Sequence, residues 1–328
     1  MGPFLHSDAA SSGVGRWAVY GPTWSHPVAG VAVRREHAGD LAETCRAVQL
    51  VLPEDAVFTH LTAALLRGWP TPALTAPPLI ACTDGDAPHL DRRGVYVRRC
   101  EIPPAHRLTL RGIAIASPAW TIVELAEHLS LIDLVVVIDH ALHQRQTTLD
   151  AIRATMVKGR RGVRVLRRAM TLADARSESP WESILRLVHV LSGIAVIPQH
   201  RVLNAAGMVV ARGDLGIAGT NRLAEYDGAD HRDREQHRRD LRREKILARL
   251  SFERYGYTAV EILEHPADVI ADACDALGVA FDERRIRPWL EEVAKCSLSA
   301  SGRRALTQRL RRFDRSQVPR KRRPNADG

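Results

Sequence analysis

Residues Arg212 to His231 read RGDLGIAGTNRLAEYDGADH and gather four side chains able to hold a metal or move a proton, Asp214, Glu225, Asp227 and His231, within eighteen positions. Met208 to Ile217 is β-rich and apolar, Ala218 to Asn221 is turn chemistry, and Arg222 to Tyr226 is extended again, so the stretch reads as a β-hairpin. Carboxylates at facing positions of two paired strands repel unless a cation, a proton or a hydrogen-bond donor lies between them. A hard divalent cation with oxygen ligands is one such solution. A structural reading stands beside it, with Asp214 as an edge residue and Asp227-Gly228 as a common turn dipeptide.

Upstream, RSESPWESILRLVHVL places Glu182 in the first turn of a helix whose apolar residues Ile184, Leu185, Val188 and Leu191 recur at helical spacing. A third acid therefore sits on an element expected to pack beside the hairpin. Ser179 as N-cap, Pro180 at the first helical position and Glu182 at the third also form a capping box, and the two roles are compatible.

A helix-borne Glu in SPWES, a strand with a central Asp, then EYDG followed by His and an RDLRREK helix resembles the Vsr-like endonuclease domain of the PD-(D/E)XK superfamily. The resemblance implies a magnesium ion held by Asp214, Glu225 and Glu182, and proton handling by His231 with Asp227 orienting it. Asp227 stands where the superfamily normally has Lys. That departure leaves the general base open, and with it a domain that binds DNA without cutting it. A second resemblance lies nearer the start: WAVYGP at 17–22 and THLTAALLRG at 59–68, before a Pro-rich loop, are similar to AbiEi-antitoxin-like proteins. Those relatives carry a winged helix-turn-helix ahead of the first motif, so the wing is expected to be incomplete here. Together the two resemblances cover roughly residues 15 to 265.

The 328 residues suffice for a sizeable core and for two domains, and 45% hydrophobic content is that of a globular chain. The most apolar run, Leu129 to Leu142, is interrupted by Asp133, Asp139 and His140 and is too short to cross a bilayer. No signal peptide or membrane span is read. Five Cys without CxxC spacing argue against a disulfide framework or a structural zinc, and a cytoplasmic location is the simplest expectation. A net charge of +9 points to a polyanionic partner, although only four of the basic residues are Lys, as a coding bias toward Arg would give. Ten Lys or Arg between Arg303 and Arg323 against one acid, Asp314, read as a tail with salt-sensitive phosphate affinity.

The expected order is a disordered start (1–14), an α+β region with the incomplete wing (15–116), and a helical region (117–175). A PD-(D/E)XK-like domain with a central mixed sheet flanked by helices (176–265), a helical extension (266–300) and the basic tail (301–328) follow. The fold class is thus α/β of the α+β kind. Within it, Tyr257 to Leu263 reads as a strand, and Asp240 is expected to pair with Arg243 one turn on. The basic residues 160, 161, 164, 167 and 168 on a helix from Arg160 to Asp174 could follow DNA or simply be solvated. Three functions remain: a magnesium-dependent endonuclease on DNA, a non-catalytic DNA-binding regulator of the antitoxin type, and an interaction protein whose acids only cap and brace. DNA is the expected partner, with no membrane and no small-molecule cofactor, and self-association is left open.

Overall fold

The computed structural model describes residues 2–15, 17–84, 92–228 and 234–313, with only the backbone of 234–240. Two compact units share the chain: residues 1–128 with the chain from Thr307 onward, and residues 129–306.

The first unit opens with β1 (Phe4–Leu5), β2 (Trp24–Ser25) and β3 (Val31–Arg34), antiparallel in the order β1-β3-β2. Phe4, Ala9 and Val14 are buried there with Val19, Trp24 and Ala32. The expected disorder of residues 1–14 is therefore corrected: three well-spaced apolar residues inside a small, polar stretch are enough to seat it. Ala18–Tyr20 is one turn of 3-10 helix and not the end of a wing strand. Pro22, which has no N–H to give a ladder, follows after Gly21.

Next come α1 (Leu41–Gln49), β4 (Val57–Phe58), α2 (His60–Leu66), β5 (Ile80–Thr83), β6 (Tyr96–Arg99), β7 (Arg107–Leu110), β8 (Ile113–Ala116) and α3 (Pro118–Leu125). Asp40 caps α1, its carboxylate accepting the N–H groups of Ala42 and Glu43. The strands form a mixed sheet in the order β6-β5-β4-β8-β7. At the start of α2, His60 has a φ of 55° and its N–H donates to the fully buried Glu124 carboxylate on α3 at 3.2 Å. Ring nitrogens of His60 and His128 lie 2.8 Å apart, and Phe313 packs on both rings and on Tyr96.

The segment ending at Phe313 thus belongs to this core. Residues 301–313 are not tail. A helix, Ala300–Leu310, runs into a 3-10 turn at Arg311–Phe313, and Leu306, Leu310 and Phe313 are buried. Their spacing of four and three residues was present inside the Arg-rich run but masked by its charge. Residues 314–328 lie outside the described residues.

The second unit contains α4 (Leu131–His143), α5 (Leu149–Thr155), α6 (Val163–Leu172) and α7 (Pro180–Leu191), then β9 (Val196–Leu203), β10 (Val209–Ile217) and β11 (Arg222–Tyr226). It continues with α8 (Arg234–Arg249), β12 (Glu253–Tyr257), α9 (Ala259–Glu264), α10 (Pro266–Ala276) and α11 (Arg287–Val293); the helix Ala300–Leu310 is α12. The hairpin forms where the sequence placed it, as β10 and β11. Its sheet has the order β12-β11-β10-β9, antiparallel except that β12 runs parallel to β11. The class is mixed α/β, a central sheet flanked by helices, as read from the sequence.

The strand expected at 257–263 is corrected: β12 ends at Tyr257 and the rest is α9. Thr258 accepts the Glu261 N–H while the Glu261 carboxylate accepts the Thr258 N–H, so a capping box starts a helix there. Beneath the sheet, a buried pair ties α7 to α4, Arg186 donating to Asp139 at 2.6 Å and to the Leu172 carbonyl at 2.6 Å. Ser183 adds a hydroxyl donor to the same Asp139 oxygen at 2.7 Å. This clamp fixes the helix whose first turn carries Glu182.

Candidate functional site

Glu182 occupies the third position of α7, its N–H donating to the Ser179 hydroxyl. Its carboxylate reaches one residue further back than a strict capping box, accepting the Glu178 N–H at 2.9 Å and the Gln199 amide at 2.7 Å. Gln199 sits in β9 with a φ of 52°, a left-handed kink in the strand.

Asp214, in β10, accepts the Tyr226 N–H at 3.0 Å. Burial pushes its carboxyl up to about 6; the charges of Glu182 and Glu225 act in the same direction, against the Tyr226 hydrogen bond and Arg243. Three acids from α7, β10 and β11 therefore feel one another. Glu225 is only 5% exposed, and two guanidinium groups compensate it. Arg243 of α8 forks onto both its oxygens and also donates to the Arg212 carbonyl; Arg254 of β12 donates to Glu225 at 2.9 Å.

Asp227 continues from β11, with its N–H bonded to the Tyr257 carbonyl and its carboxylate 3.6 Å from Arg254. Gly256 makes room for it, because a Cβ there would lie 1.9 Å from an Asp227 carboxylate oxygen. His231 lies outside the described residues, as does the Asp240 side chain expected to pair with Arg243. Among the described residues no group of three His, Cys, Asp or Glu is arranged to hold a metal ion.

Sequence reasoning missed Arg243, Arg254 and an aromatic pair. Trp181 and Tyr226 stack with centroids 5.0 Å apart and planes at 7°, each one residue from an acid of the cluster. Their positions inside SPWES and EYDG were the available signal. Arg254 had none, since strand β12 was placed four residues too late.

The magnesium reading can be tested on this donor set. Glu225 offers a cation only edges that Arg243 and Arg254 already fill, and Glu182 is drawn into the cap of α7. The arrangement does not fit a divalent ion without displacing Arg243. The counter-charge is supplied by arginine.

No helix among the described residues is long and apolar enough to cross a membrane. No solved structure matches the chain. Two uncharacterised proteins from two strains of Mycobacterium tuberculosis, MT2308 and Rv2248, are each 29% identical to it over 121 residues. The aligned part is 36% of this chain and 45% of theirs, so the chain spans less than half the length of these relatives. Of the two resemblances read from the sequence, one has independent support: residues 36–175 match the family model of the AbiEi antitoxin C-terminal domain.

Proposed function

We propose that the chain is a DNA-binding regulator of the antitoxin type, whose second unit keeps a nuclease-like fold without nuclease chemistry. The match of residues 36–175 to the AbiEi antitoxin C-terminal domain carries this reading. The arginine-compensated Glu225 supports it, because an acid already neutralised by two guanidinium groups has no need of a metal. The expected test outcome is retardation of duplex DNA on a gel, with supercoiled plasmid left intact in millimolar magnesium.

One observation favours a second reading, a magnesium-dependent endonuclease. The helix carrying Glu182 packs on paired strands carrying Asp214 and Glu225, followed by α8, within a mixed sheet flanked by helices, which is in keeping with the order of elements in the Vsr-like resemblance. In that reading Asp214, Glu225 and Glu182 hold the metal, and Asp227 and His231 handle the proton. Plasmid nicking that requires magnesium and disappears in Asp214→Ala would overturn the regulator reading in its favour.

A further inference from the structure

Between residues 151 and 173 there are seven Lys or Arg and no Asp or Glu. The segment contains the end of α5, a turn reading VKGRRG at 157–162, and the whole of α6 with its C-cap Ala173. Lys158, Arg161, Arg164 and Arg167 are exposed and, among the described residues, form no ion pair. Within the segment Arg153 pairs with Asp150 and Arg168 with Glu292 at 2.6 Å, and elsewhere in the same unit Arg186 is matched with Asp139 at 2.6 Å and Arg212 with Glu178 at 2.7 Å. Like charges one helical turn apart, as at 164 and 167 of α6, repel.

The turn adds to this. Gly159 and Gly162 have φ of 82° and 84°, and Gly162 is the N-cap of α6, so no side-chain oxygen caps the helix and no acid lies in its first turn. A ten-residue helix thus begins with uncapped N–H groups amid four uncompensated cations.

We infer that the VKGRRG turn and the exposed face of α6 form a docking surface for the phosphate backbone of duplex DNA. The inference rests on the regulator reading and names the surface that would serve it. A lipid surface fits less well, because the apolar residues Val163, Leu166, Ala169 and Met170 are all buried and none is left to enter a bilayer. Single-stranded nucleic acid fits less well too, since residues 144–180 contain no Phe, Tyr or Trp on which a base could stack.

The test is fluorescence anisotropy of labelled duplex DNA over a potassium chloride series, with the full chain and its Arg164→Glu/Arg167→Glu variant. Both substitutions are on exposed positions, and an unchanged thermal midpoint certifies the fold. The double variant is expected to lose affinity at least about tenfold, and its slope of log affinity against log salt to flatten by about two. An Arg164→Gln/Arg167→Gln variant should flatten it as well, with a smaller loss. An unchanged slope in a wild type that does bind DNA would overturn this surface alone. Wild-type protein that binds no duplex would sink the regulator reading together with it. Loss confined to single-stranded RNA or to phosphatidylserine vesicles would assign the face to a different partner and overturn the proposal.

Discussion

Asp139 and Arg186 are charges kept in the interior, with side chains 2% and 5% exposed, and both carboxylate oxygens and all three guanidinium nitrogens have hydrogen-bond partners. Removing one partner leaves the other ionised and buried. Arg186→Met is accordingly expected to cost about 3–5 kcal/mol, read as a lowered urea midpoint. Buried imidazoles set a pH limit. Burial drives His189 down to about 4, and burial with the Arg312 charge does the same for His128. The unfolded chain takes up these protons near 6.5 while the fold refuses them until about 4, so stability is complete above 6.5 and falls as the pH drops. Each group contributes on the order of 2–3 kcal/mol to that loss, and His189→Phe should visibly shallow the profile of unfolding free energy between pH 7 and about 4. Asp214, whose carboxyl is raised to about 6, works with the opposite sign: its contribution weakens as the pH climbs from about 4 to 6. At this scale the acids of the site were legible, because EYDG and SPWES are local patterns. Their counter-ions were not, since Arg243 and Arg254 reach Glu225 from 18 and 29 residues away.

Elements were legible wherever periodicity and punctuation agreed. The hairpin had both, apolar runs and the Ala218–Asn221 turn, and formed as read. Tyr257 to Leu263 offered conflicting cues: β-prone Tyr257, Thr258, Val260 and Ile262 on one side, a Thr-x-x-Glu box on the other. The box prevailed because two hydrogen bonds at Thr258 satisfy helix-end groups that a strand leaves open. Thr258→Ala is therefore expected to destabilise the second unit by about 1 kcal/mol in chemical denaturation, and no more in a Thr258→Ala/Glu261→Ala pair than the two changes share through the box. At Ser179–Glu182 the same signal was read correctly as a helix start, although only half of the box closes there: Ser179 accepts the Glu182 N–H, while the Glu182 carboxylate takes the Glu178 N–H.

At the scale of the molecule, the mixed sheet class and the order of elements around the candidate site followed from sequence, but the membership of the two units did not. Local patterns carry no information that residues 307–313 pack with residues 1–128, because that pairing is set by which apolar surfaces meet. Truncation after Leu306 removes Leu310 and Phe313 and uncovers the His60, Tyr96 and His128 rings. It is expected to lower the thermal midpoint and speed proteolysis within residues 1–128, whereas deletion of residues 314–328 should alter DNA affinity more than stability. Phe313 also has a temporal meaning. Translation delivers residues 1–128 first, yet the aromatic ring that seats on their histidines is made only after the whole second unit. The part synthesised earliest is thus finished late: residues 129–306 form a unit of their own as they emerge from the ribosome, and closure of the leading part waits for residues 307–313.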